Sequence, residues 1–166
     1  MSYERPYLDS SVYIAAIKSE LGRVDTARSI LKDAERGRIK ICASTFVVVE
    51  VNKAPGYQRL SDDDEKTVAD FFLHDYFEWA ELDHTLAREA RRLARELSLK
   101  PADAIHLASA IALGADCFLK WDRHYPEGDY HGLHVCEPYA LERQEEFNLS
   151  VVSTSSTDLT SPANPS

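Results

Sequence analysis

Short apolar runs alternate with amphipathic stretches along this chain. Arg5 to Leu8 is a brief apolar run that meets Asp9-Ser10-Ser11, and Val12 to Ile17 follows as a helix capped by one of those three residues. Val24 to Arg36 carries Ala27, Ile30, Leu31 and Ala34 at helical spacing, with Gly37 as its stop. Ile39 to Ala43 reads as a second strand. Ser44 or Thr45 can cap the segment Phe46 to Lys53, which Pro55-Gly56 ends; its valine-rich run fits strand or helix equally by periodicity. Ser61 to Tyr76 reads as helix, Phe77 to Leu82 as extended chain, and Asp83 caps a helix from Thr85 to Leu97. Pro101 suits a first helical position and opens a helix over Ala102 to Leu113, ended by Gly114. Cys117 to Trp121 and Leu133 to Cys136 complete the set as strands. Strands separated by helices in this rhythm predict an α/β fold with a parallel sheet between helical layers. In such folds ligands sit at the carboxyl ends of the strands.

Composition narrows the picture. A chain of 166 residues with 44% hydrophobic side chains supports one core that buries roughly 70% of the unfolded surface. The domain is expected over residues 1–149, and the tail 150–166, with nine Ser or Thr and two Pro, reads as disordered. No run is long and apolar enough for a membrane helix, and the charged start lacks a signal peptide's apolar stretch, so a cytoplasmic protein is expected. Cys42, Cys117 and Cys136 are odd in number and lie among apolar neighbours, which suits reduced core thiols.

The net charge is -9, from 19 Lys+Arg and 28 Asp+Glu. Bulk attraction to polyanions is therefore excluded. The charge is uneven, however: Ser61 to His84 holds nine acids and one Lys, net -8, so the rest of the chain is almost neutral. What the composition excludes is tight nonspecific RNA binding, and a metal-bridged, salt-sensitive encounter stays open.

Four acids occupy places where sequence expects a core or a strand end. Asp9 and Asp122 each follow a strand, and in a parallel pair they emerge on one edge of the sheet. Glu50 is embedded in Phe46-Val-Val-Val-Glu-Val51, where an ionised carboxylate needs a partner, such as a Lys or Arg at the core edge. Asp103 opens the apolar helix Asp103-Ala-Ile-His-Leu-Ala108. Each also has a plain structural role available: Asp9 as a helix cap, Asp103 as a first-turn anion, Asp122 as a turn residue. Asp116 precedes the strand that Asp122 follows, so it belongs to the opposite edge and is structural. Converging carboxylates repel unless a cation neutralises them, and an oxygen-only set suits Mg²⁺ or Mn²⁺. Such a set best supports phosphodiester hydrolysis.

The segments Tyr7-Leu-Asp-Ser-Ser-Val12, Ser44-Thr-Phe-Val-Val-Val-Glu50, Ala102-Asp-Ala-Ile-His-Leu-Ala108 with Gly114-Ala-Asp116, and Trp121-Asp-Arg-His-Tyr125 resemble, in order, the four motifs of PIN-domain nucleases, and within them the VapC-type toxins of prokaryotic toxin-antitoxin pairs. The resemblance implies a three-layer α/β/α sandwich with a central parallel sheet, a Mg²⁺ or Mn²⁺ site and endoribonuclease activity. It implies Asp9 and Asp103 as core metal ligands, Glu50 completing the shell or orienting a water, and Asp122 holding a second or water-mediated metal. Ser11 matches the hydroxyl that follows the first acid in the family and positions Asp9 or a metal water. It also implies a small antitoxin that blocks the site, and a homodimer. The sequence departs from many relatives at Lys120, where they carry Ser or Thr; the side chain is expected to snorkel outward rather than reach a phosphate.

Other features carry two readings. Arg88, Arg91, Arg92 and Arg95 form a stripe that tracks an RNA backbone or, paired with Glu89 and Glu96, a solvated helix face. His106, three residues after Asp103, is read as packing or hydrogen-bonding beside the site rather than as a general base. His124, His131 and His134 lack zinc spacing and are expected in loops. Asp62-Asp-Asp-Glu65 is a helix start that complements the dipole. Tyr13, Ile17, Ile30 and Leu31 form either a partner groove or core. The alternative to a nuclease is a non-catalytic module of the same fold that holds RNA or a protein. A haloacid-dehalogenase-like phosphatase requires a second Asp two residues after the first, and position 11 is Ser.

Overall fold

A computed structural model of the chain describes residues 3–51, 61–123, 125 and 128–141, the side chain of Asp64 apart. The segment holding Pro55-Gly56, the side chain of Asp64 within the acidic helix start, His124, and the tail 150–166 all lie outside the described residues.

The described elements run β1 (Pro6–Leu8), α1 (Ser10–Ile17), α2 (Val24–Glu35), β2 (Ile41–Ser44), α3 (Phe46–Glu50), α4 (Asp62–Phe71), β3 (Phe77–Ala80), α5 (His84–Glu96), α6 (Pro101–Leu113), β4 (Cys117–Leu119), β5 (Gly128–Tyr130) and β6 (Leu133–Cys136). The strands form one sheet in the order β3-β2-β1-β4-β6-β5. The pairs β3-β2, β2-β1, β1-β4 and β4-β6 are parallel, and β5 pairs antiparallel with β6. The α/β/α expectation holds, with a sheet that is mostly rather than wholly parallel.

Alternation along the central strands divides the core in two. Tyr7 and Phe118 enter the cluster formed with Leu86, Leu93, Ala104 and Leu107 of α5 and α6. Leu8 and Leu119 enter the cluster formed with Val12, Ala15, Ala27 and Ile30 of α1 and α2. Successive side chains of a strand point to opposite faces, so three-residue strands suffice to hold both helical layers. All three cysteines are free, as expected.

Several boundaries differ from the sequence reading. The valine-rich run, left open between strand and helix, is helical: a five-residue α3 that buries Val47 and exposes Val48 and Val49. Helix α4 stops at Phe71 instead of Tyr76. Its end is a turn in which the Leu73 and His74 N–H groups reach back three residues, and Phe71, Phe72, Tyr76 and Phe77 pack edge to face. Strand β5 is an addition. It turns into β6 through His131 and Gly132, both at positive φ, a two-residue connection that matches strand twist. His134 is consequently on β6 rather than in a loop, where its Nδ1 pairs with Asp129 across the hairpin at 2.9 Å.

Candidate active site

The site begins with the pairing of β1 and β4. Leu8 lies opposite Leu119, and the Asp9 N–H donates to the Leu119 carbonyl at 3.0 Å. Asp9 and Asp122 therefore leave the same edge of the sheet, Asp9 directly after β1 and Asp122 three residues after the end of β4. Asp116 lies at the other end of β4, where Oδ2 accepts the backbone N–H groups of Glu4 and Arg5 at 2.8 and 2.7 Å. It is structural, as its position requires.

Asp9 is 4% exposed and caps α1, its Oδ2 accepting the Ser11 N–H at 3.1 Å. A cap of this kind contributes about 1 kcal/mol. The same side chain is also held from across the sheet, because the Tyr125 hydroxyl donates to Oδ1 at 3.3 Å. Burial, then the charges of Asp9 and Asp103, then Tyr7 and Glu50, push the Tyr125 phenol far above its usual range. It remains a proton donor to Asp9 at any ordinary pH. Asp9, Asp103 and Glu50 are thus the acids whose charges act on the Tyr125 phenol. Tyr125 was not singled out in sequence; the available signal was an aromatic residue three positions after Asp122 in a polar segment.

The Ser11 hydroxyl does not touch Asp9. It accepts the Trp121 N–H at 3.1 Å, so it fastens the start of α1 to the chain leading into Asp122, while its backbone N–H supplies the Asp9 contact. Asp103 sits in the first turn of α6, behind Lys100 at the N-cap and Pro101, with Oδ2 sealed from solvent. The partner of Glu50 is neither Lys nor Arg: its Oε2 meets His106 Nε2 at 2.5 Å. His106 is 1% exposed, and its Nδ1 meets the Tyr7 hydroxyl at 2.8 Å. The reading of His106 as a hydrogen-bonding residue beside the site holds. Beneath these groups Tyr7, Phe118 and Tyr125 form an aromatic floor, with centroids 5.1 and 4.9 Å apart.

The chain matches the sequence profile of the PIN domain over residues 7–128. It belongs to the PIN-domain family. Fourteen solved chains match this PIN domain in structure. A chain from the Klebsiella pneumoniae toxin-antitoxin complex has a TM-score of 0.58 and 19% identity, over 82% of this chain and 99% of that one. The Mycobacterium tuberculosis VapC20 toxin, described as cleaving the sarcin-ricin loop, has a TM-score of 0.57 and 16% identity, over 71% and 90%. A chain of Rickettsia felis VapBC2, bound to a DNA fragment from their promoter, has a TM-score of 0.55 and 17% identity, over 81% and 98%. At such identities the likeness is one of fold. No protein of curated function matches the sequence.

One expectation about the surroundings of the PIN-domain site changes, and for Arg92 one of two open readings is met. Lys120 does not snorkel: at 3% exposure it is buried at the end of β4, because β6 pairs alongside and the Lys120 N–H donates to the Cys136 carbonyl at 3.1 Å. In the arginine stripe, Arg92 is committed within its own helix, bonded to both Glu89 and Glu96. Arg88 and Arg92 line a groove of about 820 Å³ beside α6, together with Glu81, Asp83 and Glu89, so acids accompany the cations there. None of the four candidate acids lines it.

Among the described residues, no three His, Cys, Asp or Glu side chains form a ready-made metal cage. The candidate acids offer oxygen donors only, and Asp9 and Glu50 each carry spare lone pairs beyond the hydrogen bonds named. Such a sparse set fits a cation that takes one or two carboxylates and keeps several waters, as Mg²⁺ does. Among the described residues no helix is long and apolar enough to cross a membrane.

Proposed function

We propose that this PIN domain is a divalent-metal-dependent endoribonuclease and the toxin of a toxin-antitoxin pair. The observation that carries the reading is Asp9, buried just past the carboxyl end of β1 and held by the Ser11 N–H and the Tyr125 hydroxyl. Asp9 and Asp103 would hold Mg²⁺ or Mn²⁺, with Glu50 beside them and Asp122 farther along the edge. When bound, the metal supplies a hydroxide at neutral pH and charge stabilisation for the scissile phosphate.

The chain's own groups prepare that chemistry. Asp9 is fixed from two sides by the Ser11 N–H and the Tyr125 hydroxyl, so its carboxylate does not have to be ordered on binding. The dipole at the start of α6 favours the anionic form of Asp103. His106 holds Glu50. No side-chain nucleophile is needed, and the uncommitted arginines of α5, Arg88, Arg91 and Arg95, are candidates to meet the RNA backbone.

The antitoxin would seat on the hollow of about 210 Å³ formed by Tyr13, Ala16, Ile17, Arg28, Leu31 and Phe71, of which Ile17 is exposed. Ile30, by contrast, is wholly buried core. The solved relatives that are toxin-antitoxin assemblies support that role for a partner. A homodimer is proposed alongside it.

The test is cleavage of RNA with Mg²⁺ or Mn²⁺, stopped by EDTA and restored by added metal. Asp9→Asn and Asp103→Asn are expected to abolish cleavage while circular dichroism shows the fold intact. Cleavage that survives both substitutions would sink the metal assignment. RNA retained without turnover at saturating metal would favour the non-catalytic alternative.

A further inference from the structure

We infer that His106 is a positioning residue whose Nε2–H fixes the carboxylate of Glu50, with Tyr7 fixing the ring in turn; this rests on the reading of Glu50 as a site acid. An ionised carboxylate only accepts hydrogen bonds, so at 2.5 Å the ring nitrogen facing Glu50 carries the proton. The neutral ring then has its lone pair on Nδ1, where the Tyr7 hydroxyl donates at 2.8 Å. Tyr7 is free to donate in that direction because its oxygen already receives the Ser44 N–H at 3.1 Å. The tautomer follows from the network rather than from an observed hydrogen.

The relay joins four elements. Tyr7 comes from β1, Ser44 from β2, Glu50 from α3 and His106 from α6. Ser44 stands just before α3 and Glu50 is its last residue, so both ends of this short helix depend on the same Tyr7–His106 couple. Packing holds α3 through Val47 within the helix and Val51 at its C-cap, while Val48 and Val49 are exposed. The Phe46 ring adds a tilted contact to His106, centroids 5.7 Å apart. A side chain at the end of so short a helix would otherwise sample several rotamers. Here one oxygen is pinned and the other is left to the site.

The experiment compares His106→Leu, which removes the donor, with His106→Gln, which returns an N–H near the same place, and with Glu50→Gln. Three quantities are read: the downfield imidazole N–H proton by NMR without metal, Mn²⁺ affinity by titration, and the kcat and KM of RNA cleavage. In the unsubstituted protein the N–H signal is expected, and it should shift upfield in Glu50→Gln. His106→Leu should lower Mn²⁺ affinity or kcat by about 10- to 100-fold with KM little changed, and His106→Gln should recover most of that loss. The double variant His106→Leu, Glu50→Gln should lose no more than Glu50→Gln alone. Full additivity, a Leu variant with undiminished Mn²⁺ affinity and kcat, or an N–H signal indifferent to Glu50→Gln would each overturn the inference. If His106→Leu does not fold, Tyr7→Phe carries the same comparison from the other side of the ring. Should the unsubstituted protein bind no Mn²⁺ and cleave nothing, the nuclease reading fails, and the metal-free NMR comparison still decides whether His106 holds Glu50.

Discussion

Asp116→Ala offers a direct test of which sheet edge does the chemistry. Asp116 belongs to the same short stretch of chain as Asp122 but lies at the far end of β4, where Oδ2 receives the Glu4 and Arg5 N–H groups at 2.8 and 2.7 Å. Truncation removes both bonds and leaves the Asp116 N–H on the Arg5 carbonyl in place. A hydrogen bond to a charged group contributes roughly 1.5–3 kcal/mol, and the exposed site lets water take over part of each, so the expected loss is about 1–2 kcal/mol. For a chain of this size that corresponds to a fall in Tm of about 2–8 °C. Thermal melts and cleavage assays on the same preparations decide the matter: stability should drop and cleavage, measured well below the melt, should stay within about twofold. Asp116→Asn should lose less, since an amide oxygen still accepts one of the bonds. If cleavage collapsed with Tm unchanged, the assignment of active edge and structural edge would be refuted, and with it the placement of Asp9 and Asp122.

Two further outcomes follow from groups already placed. Tyr125→Phe removes a buried donor from Asp9, a long bond at 3.3 Å, and should cost about 1.5 kcal/mol, visible as a lower urea midpoint; an unchanged midpoint would show that the bond carries no weight. Burial pushes the Cys42 and Cys117 thiols up to about 12, against 9.0 for an exposed thiol. A folded pKa raised above the unfolded one gives stability that is complete below pH 9 and lost as pH climbs toward 12, because the unfolded chain sheds those protons first. Urea midpoints should be flat in this respect up to pH 9 and fall above it, less steeply in Cys42→Ala, Cys117→Ala. A midpoint that rises over that interval would contradict the burial.

The legible parts of this molecule are those encoded locally. Asp9 announces itself as both the end of a strand and the cap of a helix, and the Pro101 start and Gly114 stop bracket α6, with Gly114 at φ 61° in the left-handed region. The placement of Asp9 and Asp122 on one edge follows once their strands are parallel neighbours, as β1 and β4 are. Features set by tertiary pairing were not legible. Glu50 and His106 are 56 residues apart, and nothing in either neighbourhood names the other. The valine run at 46–51 satisfies both periods, and its helical form depends on Ser44 and Thr45 turning the chain out of β2, where the Phe46 N–H meets Ser44 Oγ at 3.3 Å. Lys120 reads as an outward residue until β6 covers it, and β5 is only three residues long with a His-Gly turn that sequence signals poorly.

The pairing of β1 with β4 also has a temporal meaning. β1 is made long before β4: the carbonyl that receives the Asp9 N–H belongs to residue 119, and Tyr125 comes later still. Emerging from a ribosome, Asp9 has its local contact with the Ser11 N–H, but it gains its partners across the sheet only once residues 119 and 125 have been made. Contacts of such separation are slow to form because loop closure precedes any reward. A growing chain therefore exposes α1 and α2 well before β1 gains its pairing with β4.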